Sequence, residues 1–255
     1  MLESSFIFLN GVGENSEKQL WEYGITHWDQ FLQSSALPGI SSSRKSSYDR
    51  EVDKMSKDFA LGNWRTLAKR FKSKEHWRFL EAFRSRTAFL DIETTGEPAG
   101  HGDITIVGLF ANGTTTLLVK DDSLTQERLQ NELDKYDLLV TFFGTGYDLP
   151  YLRETYTRLK LNHAHFDVCF AARRLGLRGG LKHIELELGF TREHNIQGLD
   201  GWDAVRLWHA WQAGDEDAKT KLCKYNEADV KNLKLLADHT YEEFLQRYGP
   251  MSVMA

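Results

Sequence analysis

An apolar run carrying two carboxylates two residues apart restricts the folds open to this chain more than any other feature. Ala88-Phe89-Leu90-Asp91-Ile92-Glu93 reads as a β-strand, on which successive side chains leave opposite faces. Asp91 and Glu93 therefore share a face, in a stretch that an apolar sheet would bury. Buried carboxylates without partners are costly, and a divalent cation with hard oxygen ligands removes the conflict. The plainer alternative has one carboxylate capping the Thr94-Thr95-Gly96 turn and the other solvated.

The pattern around this strand is that of an α/β domain. Two more strands, Ile104–Phe110 and Thr114–Val119, are joined by Asn112-Gly113, a strong hairpin signal. A helix over 125–135 precedes a short apolar run, Leu138–Phe143, suited to a buried strand. A helix starting near Asp148, a brief strand around Phe166 and a largely helical remainder to about Tyr248 follow. Meandering strands followed by strand–helix alternation predict a mixed sheet flanked by helices over residues 87–245.

A small helical region precedes it. Over residues 1–33, Leu9-Asn10-Gly11-Val12-Gly13 makes a turn before a helix bearing Leu20, Trp21 and Tyr23, and Gly24 stops that helix. Backbone N–H groups at such a glycine turn can hold a phosphate. The segment resembles the second half of a helix-hairpin-helix element, although a plain αα-hairpin would use the same glycines. Residues 34–49, seven of sixteen serine, read as a linker. Residues 50–86 read as a basic helical segment, with eight basic and two acidic residues between 64 and 86. Its aromatics, at helical spacing, are expected to form core, leaving the basic face as a candidate flank for nucleic acid.

Charge is divided between the two parts: +3 over residues 1–86 and −8 over 87–255. An acidic half needs divalent cations before it can hold a polyanion, and a basic neighbour can contact a nucleic-acid backbone. The balance of 41% apolar and 27% charged residues is that of an ordinary folded chain. No apolar run reaches the roughly 18 residues of a membrane span, and Met1–Ser5 lacks a basic leader region, so no membrane partner is expected. Two cysteines, Cys169 and Cys223, are too few for a disulfide scaffold or zinc knuckle, and a cytoplasmic location is expected.

Two further sites carry carboxylates. Gly146-Tyr147-Asp148-Leu149-Pro150 places Asp148 at the end of a buried strand, where it can also serve as an ordinary helix cap. Tyr225 and Asp229, four residues apart in a helical run, project from one helix face. Asp91-Ile92-Glu93-Thr94-Thr95-Gly96, the run at 146–152 and Tyr225-x-x-x-Asp229-Val230 resemble, in that order, the three exonuclease motifs of the DEDD superfamily. Lys224 stands where a histidine-type member would carry histidine, and Tyr225 marks the tyrosine type. The leading helical segment and Leu181-Lys182-His183-Ile184-Glu185, with Gly189 and Arg192, are similar to the YprB-like branch of predicted exonucleases. One departure is Phe143, where many relatives have asparagine, and it bears on contacts with the substrate strand.

The resemblance implies a ribonuclease-H-like fold and removal of nucleotides from 3′ ends with two divalent ions, Mg²⁺ or Mn²⁺. It also implies metal ligation by Asp91, Glu93, Asp148 and Asp229, with Tyr225 completing the catalytic set. Candidate nucleic-acid contacts are Thr94, Thr95, Gly11, Gly13, Arg178 and Lys182. Asp167 is expected to cap a helix, and Glu185 with Arg192 to form a structural ion pair. The expected substrate is single-stranded DNA or RNA with a free 3′ end, DNA mildly favoured. An endonuclease of the same fold and an inactive nucleic-acid-binding module are the rival readings.

Overall fold

Glycines and polar caps punctuate the N-terminal helices in the computed structural model, which describes residues 1–253. Helix α1 (Glu14–Glu22) starts from Gly13 and ends before Gly24, whose φ of +89° favours glycine. His27 caps α2 (Trp28–Gln33), and the Ser41 hydroxyl caps α3 (Ser42–Ala60) by accepting the Arg44 N–H. The supposed linker 34–49 is thus helical from Ser42 onward. A serine count overlooks the stripe Lys45, Tyr48, Val52 and Met55, whose burial outweighs the weak helix preference of serine. The basic segment read as helical over 50–86 is continuous only as far as Ala60. Beyond it are α4 (Trp64–Ala68) and 3₁₀ turns at Ser73–Phe79 and Arg84–Arg86, with Lys72 extended between the first two.

These elements belong to one compact unit, Met1–Arg84 together with the chain from Tyr241 onward. Its core is aromatic: Phe6 stacks on Phe31 at 5.3 Å, and Trp77 meets Phe244 edge-on at 5.1 Å. Within it lies Arg78, 1% exposed, paired with Glu17 at 2.8 Å and Glu75 at 2.9 Å. Arg78 therefore does not belong to a solvated basic face. It compensates two buried carboxylates.

A second unit, Ser85–Thr240, holds the sheet. In chain order it comprises β1 (Thr87–Thr94), β2 (Ile104–Ala111), β3 (Thr114–Val119), α5 (Gln126–Leu133), β4 (Leu138–Thr141) and α6 (Asp148–Thr155). Next come β5 (Ala164–Asp167), α7 (Val168–Arg174), α8 (Leu181–Glu187), α9 (Gly201–Gln212) and α10 (Glu216–Tyr248), of which the residues up to Thr240 belong to this unit. The strand order is β3-β2-β1-β4-β5, antiparallel among the first three and parallel from β1 through β4 to β5. This is the expected mixed sheet flanked by helices. Positive φ at both Asn112 and Gly113 matches a hairpin turn that follows the strands' twist.

The faces of the sheet explain the odd strand. Ala88, Leu90 and Ile92 join Leu129, Leu133, Leu149 and Leu152 in one core beneath α5 and α6. On the opposite face Ile106 and Val119 pack with Trp208 of α9 and with Leu222 and Tyr225 of α10. Asp91 and Glu93 leave β1 on that second side, toward α10. Among the described residues no helix is long and apolar enough to cross a membrane.

Candidate functional site

Asp91 lies opposite Gly108 in the β1–β2 ladder, and the missing side chain at 108 lets α10 approach the sheet. A Cβ there would stand 1.9 Å from Asn226 Oδ1 and 3.3 Å from Val230 Cγ1. Buried Tyr225, Asn226 and Asp229 are brought to the strand carboxylates by one turn of α10. Carboxylate oxygens of Asp91, Glu93 and Asp229 lie within 4.8 Å of one another. Asp148, in the first turn of α6, lines the same cavity of about 620 Å³ but stands outside that trio. Asn226 Nδ2 donates to Asp91 Oδ2 at 2.9 Å and to Glu93 Oε1 at 3.2 Å.

Crowding of like charges in a desolvated place favours the protonated forms. Desolvation, then Asp229 and Glu93, hold the Asp91 carboxyl well above its ordinary value. Glu93 is pushed up to about 8 by desolvation and then Asp229, against the hydrogen bond from Asn226. Asp148 rises to about 7, chiefly through desolvation, with backbone hydrogen bonds opposing. Desolvation raises Asp229 as well, although Lys182 and Arg192 counter it. A divalent cation would relieve this repulsion, and an all-carboxylate oxygen set suits Mg²⁺ or Mn²⁺ better than zinc.

Cations of the protein itself gather on Asp229. Arg192 Nη2 donates to Asp229 Oδ1 at 2.5 Å while the same guanidinium holds Glu185 through two bonds of 2.6 Å. The expected Glu185–Arg192 pair is present, and it is tied to a candidate metal ligand. Lys182 Nζ lies 3.8 Å from Asp229 Oδ2 and donates to the Tyr225 hydroxyl. Burial, then Asp229, Glu93 and Asp91, push the Tyr225 phenol upward, so it stays neutral near pH 7.

One loop shapes the cavity rim. Asp167 caps α7 through the Cys169 N–H, as expected, and also accepts the Phe143 and Thr145 N–H groups at 2.8 and 2.9 Å. These bonds hold Phe143 at φ +63°, an uncommon conformation for an aromatic residue, and the residue is 41% exposed. Tyr147 and Trp202 also present exposed rings to the cavity, and the Tyr147 hydroxyl bonds Thr94 Oγ1 at 3.0 Å.

A family model described as RNase_H superfamily matches residues 88–241, more than half of the chain. The chain belongs to the RNase H superfamily. A solved structure of the family B DNA polymerase from the hyperthermophilic archaeon Pyrobaculum calidifontis is similar in fold. Its TM-score is 0.52 at 16% identity, covering 64% of this chain and 25% of the polymerase chain. The chain thus spans about a quarter of that polymerase's length. A comparison with curated proteins finds no match.

Within this RNase H superfamily domain, the candidates Asp91, Glu93, Asp148, Tyr225 and Asp229 line one cavity, together with Thr94 and Lys182. Thr95 and Arg178 do not line it. The Thr95 hydroxyl turns away to accept the Asp103 N–H at 3.0 Å, and Arg178 is exposed on the turn before α8, whereas Arg173 reaches the rim. Gly11 and Gly13 belong to the other unit, where they line a cavity of about 790 Å³ with Arg70, Lys72 and Lys74. Three groups were missed by reading the sequence: Asn226, the Arg192 bridge to Asp229, and Trp202. Only Asn226 left a signal, since it lies three residues before Asp229 and thus on the same helix face.

Proposed function

We propose that this chain is a metal-dependent 3′→5′ exonuclease of the tyrosine type, similar to the YprB-like branch and acting on single-stranded nucleic acid, with DNA mildly favoured. The observation carrying this reading is the convergence of Asp91, Glu93 and Asp229 within 4.8 Å, in a domain of RNase H superfamily fold. In this reading Asp91, Glu93, Asp148 and Asp229 hold two divalent ions. When bound, those ions supply Lewis acidity toward the attacking water and the leaving 3′ oxygen.

The chain's own groups do the rest. The neutral Tyr225 hydroxyl orients the water as a hydrogen-bonding group rather than as a strong base. Lys182, beside that hydroxyl, offers an ammonium to the scissile phosphate. The exposed rings of Phe143, Tyr147 and Trp202 supply faces on which terminal bases stack without regard to sequence. Thr94 supports this through its bond to Tyr147. The Gly11 and Gly13 turn, beside Lys72 and Lys74, suits a nucleic-acid backbone. Cys169 and Cys223 are free thiols, in keeping with a cytoplasmic setting.

A 5′-labelled single strand incubated with Mg²⁺ or Mn²⁺ tests the proposal. A descending ladder is expected, faster on DNA than on matched RNA. One internal product would make the chain an endonuclease, and a gel shift without cleavage would make it a binding module.

A further inference from the structure

Asn226 is buried beside two carboxylates that the proposed function assigns to metal, and its side chain carries no charge. Its two amide hydrogens go to different acids, Asp91 Oδ2 and Glu93 Oε1. One oxygen of each carboxylate is thereby tied back toward α10, leaving the other oxygen of each available to a cation. The amide's own oxygen, Oδ1, is buried without a hydrogen-bond partner. Such an orphaned acceptor costs free energy, and turning the amide over would bring that oxygen against two acidic groups. The orientation is therefore set by the carboxylates. The space is set by Gly108, where any Cβ would stand 1.9 Å from Oδ1.

We infer that Asn226 is a positioning residue: its amide, seated over Gly108, clamps Asp91 and Glu93 at the spacing that a divalent cation needs. This inference rests on the metal-dependent reading above and deepens it. Without the clamp, two like charges on neighbouring positions of one strand face swing apart, and each bound cation must first draw them together. A neighbour that merely filled a polar hole would affect folding and leave cation affinity alone.

The test is calorimetric titration of the full chain with Mn²⁺, beside thermal melting and single-turnover cleavage of a labelled oligonucleotide. Asn226→Leu keeps the volume and removes both donors. It is expected to weaken Mn²⁺ binding by about tenfold or more and to lower the cleavage rate, with KM for the oligonucleotide little changed. Gly108→Ala is the second variant, because its methyl group displaces the end of a side chain rather than the strand. It should weaken Mn²⁺ in the same way, and the double variant should be no worse than the more affected single one. Either folded variant binding Mn²⁺ as tightly as the wild type overturns the inference, as does a wild-type chain that binds no Mn²⁺. A wild-type chain that binds Mn²⁺ but does not cleave overturns the exonuclease reading alone, since the loss of affinity in the variants would still stand.

Discussion

Tyr225 and Asp229 share a helix face but are expected to fail differently. Asp229→Ala removes one of the three clustered carboxylates, so Mn²⁺ affinity should fall and added Mn²⁺ should recover only a trace of cleavage. Tyr225→Phe keeps the ring in its core and loses the hydroxyl beside Lys182. Loss of one positioning group of this kind costs on the order of 10²–10⁴ in rate with binding little changed. Titration calorimetry and single-turnover rates distinguish the two, and wild-type cleavage by Tyr225→Phe would reduce the tyrosine to packing. The Arg192 bond to Asp229 adds a constraint at this scale, since a carboxylate already held on one oxygen has its other oxygen oriented.

At the level of elements, the N-terminal helices depend on one buried arginine. Arg78 and Glu17 are each 1% exposed, and burial raises the Glu17 carboxyl despite its partner. Arg78→Met should cost about 3–5 kcal/mol by leaving Glu17 and Glu75 without compensation, measured by denaturant unfolding. A loss below about 1 kcal/mol would show that water replaces the guanidinium. Because Leu2, Phe6, Leu9, Leu20 and Trp28 are core residues of this unit, cutting away residues 1–49 would destroy it and report nothing about binding. Reversing Lys72 and Lys74 to glutamate is the cleaner probe of the cavity at Gly11 and Gly13. Each lost phosphate contact should lower the slope of log affinity against log salt by about 1, with Mn²⁺ affinity unchanged. An unaltered slope would assign that cavity to something other than nucleic acid.

The whole molecule should register the acidic cluster in its dependence on pH. Glu93 and Asp148 are raised to about 8 and about 7, so the folded chain keeps protons that the unfolded chain has released. Stability without metal therefore falls as pH rises from the ordinary carboxylate range, roughly 4–5, toward 8. Divalent metal competes with those protons, so the gain in melting temperature on adding Mg²⁺ should be larger at pH 8 than at pH 5. Glu93→Gln removes one of the raised groups. Its melting temperature without metal should lose part of this slope, and identical pH profiles for variant and wild type would contradict the assignment.

Local order in the chain was sufficient for the strand–helix succession, the Asn112-Gly113 hairpin and the carboxylates of β1, because alternation and turn chemistry act within a few residues. Resemblance of three short motifs in order added Asp148, Tyr225 and Asp229 to one cavity. The Ser-rich stretch was misread where tertiary burial of Tyr48, Val52 and Met55 overrode composition. Arg78 looked like a surface charge because its partner Glu17 lies 61 residues away. Asn226 and Arg192 looked ordinary for the same reason, one meeting Asp91 across 135 residues and the other Asp229 across 37. Sequence by itself determined which acidic side chains the domain carries and on which elements they sit. Only the tertiary structure, with α10 packed over Gly108 and Arg192 brought to Asp229, decided which neutral and basic groups meet those acids, because a buried polar side chain takes its role from partners that folding brings to it.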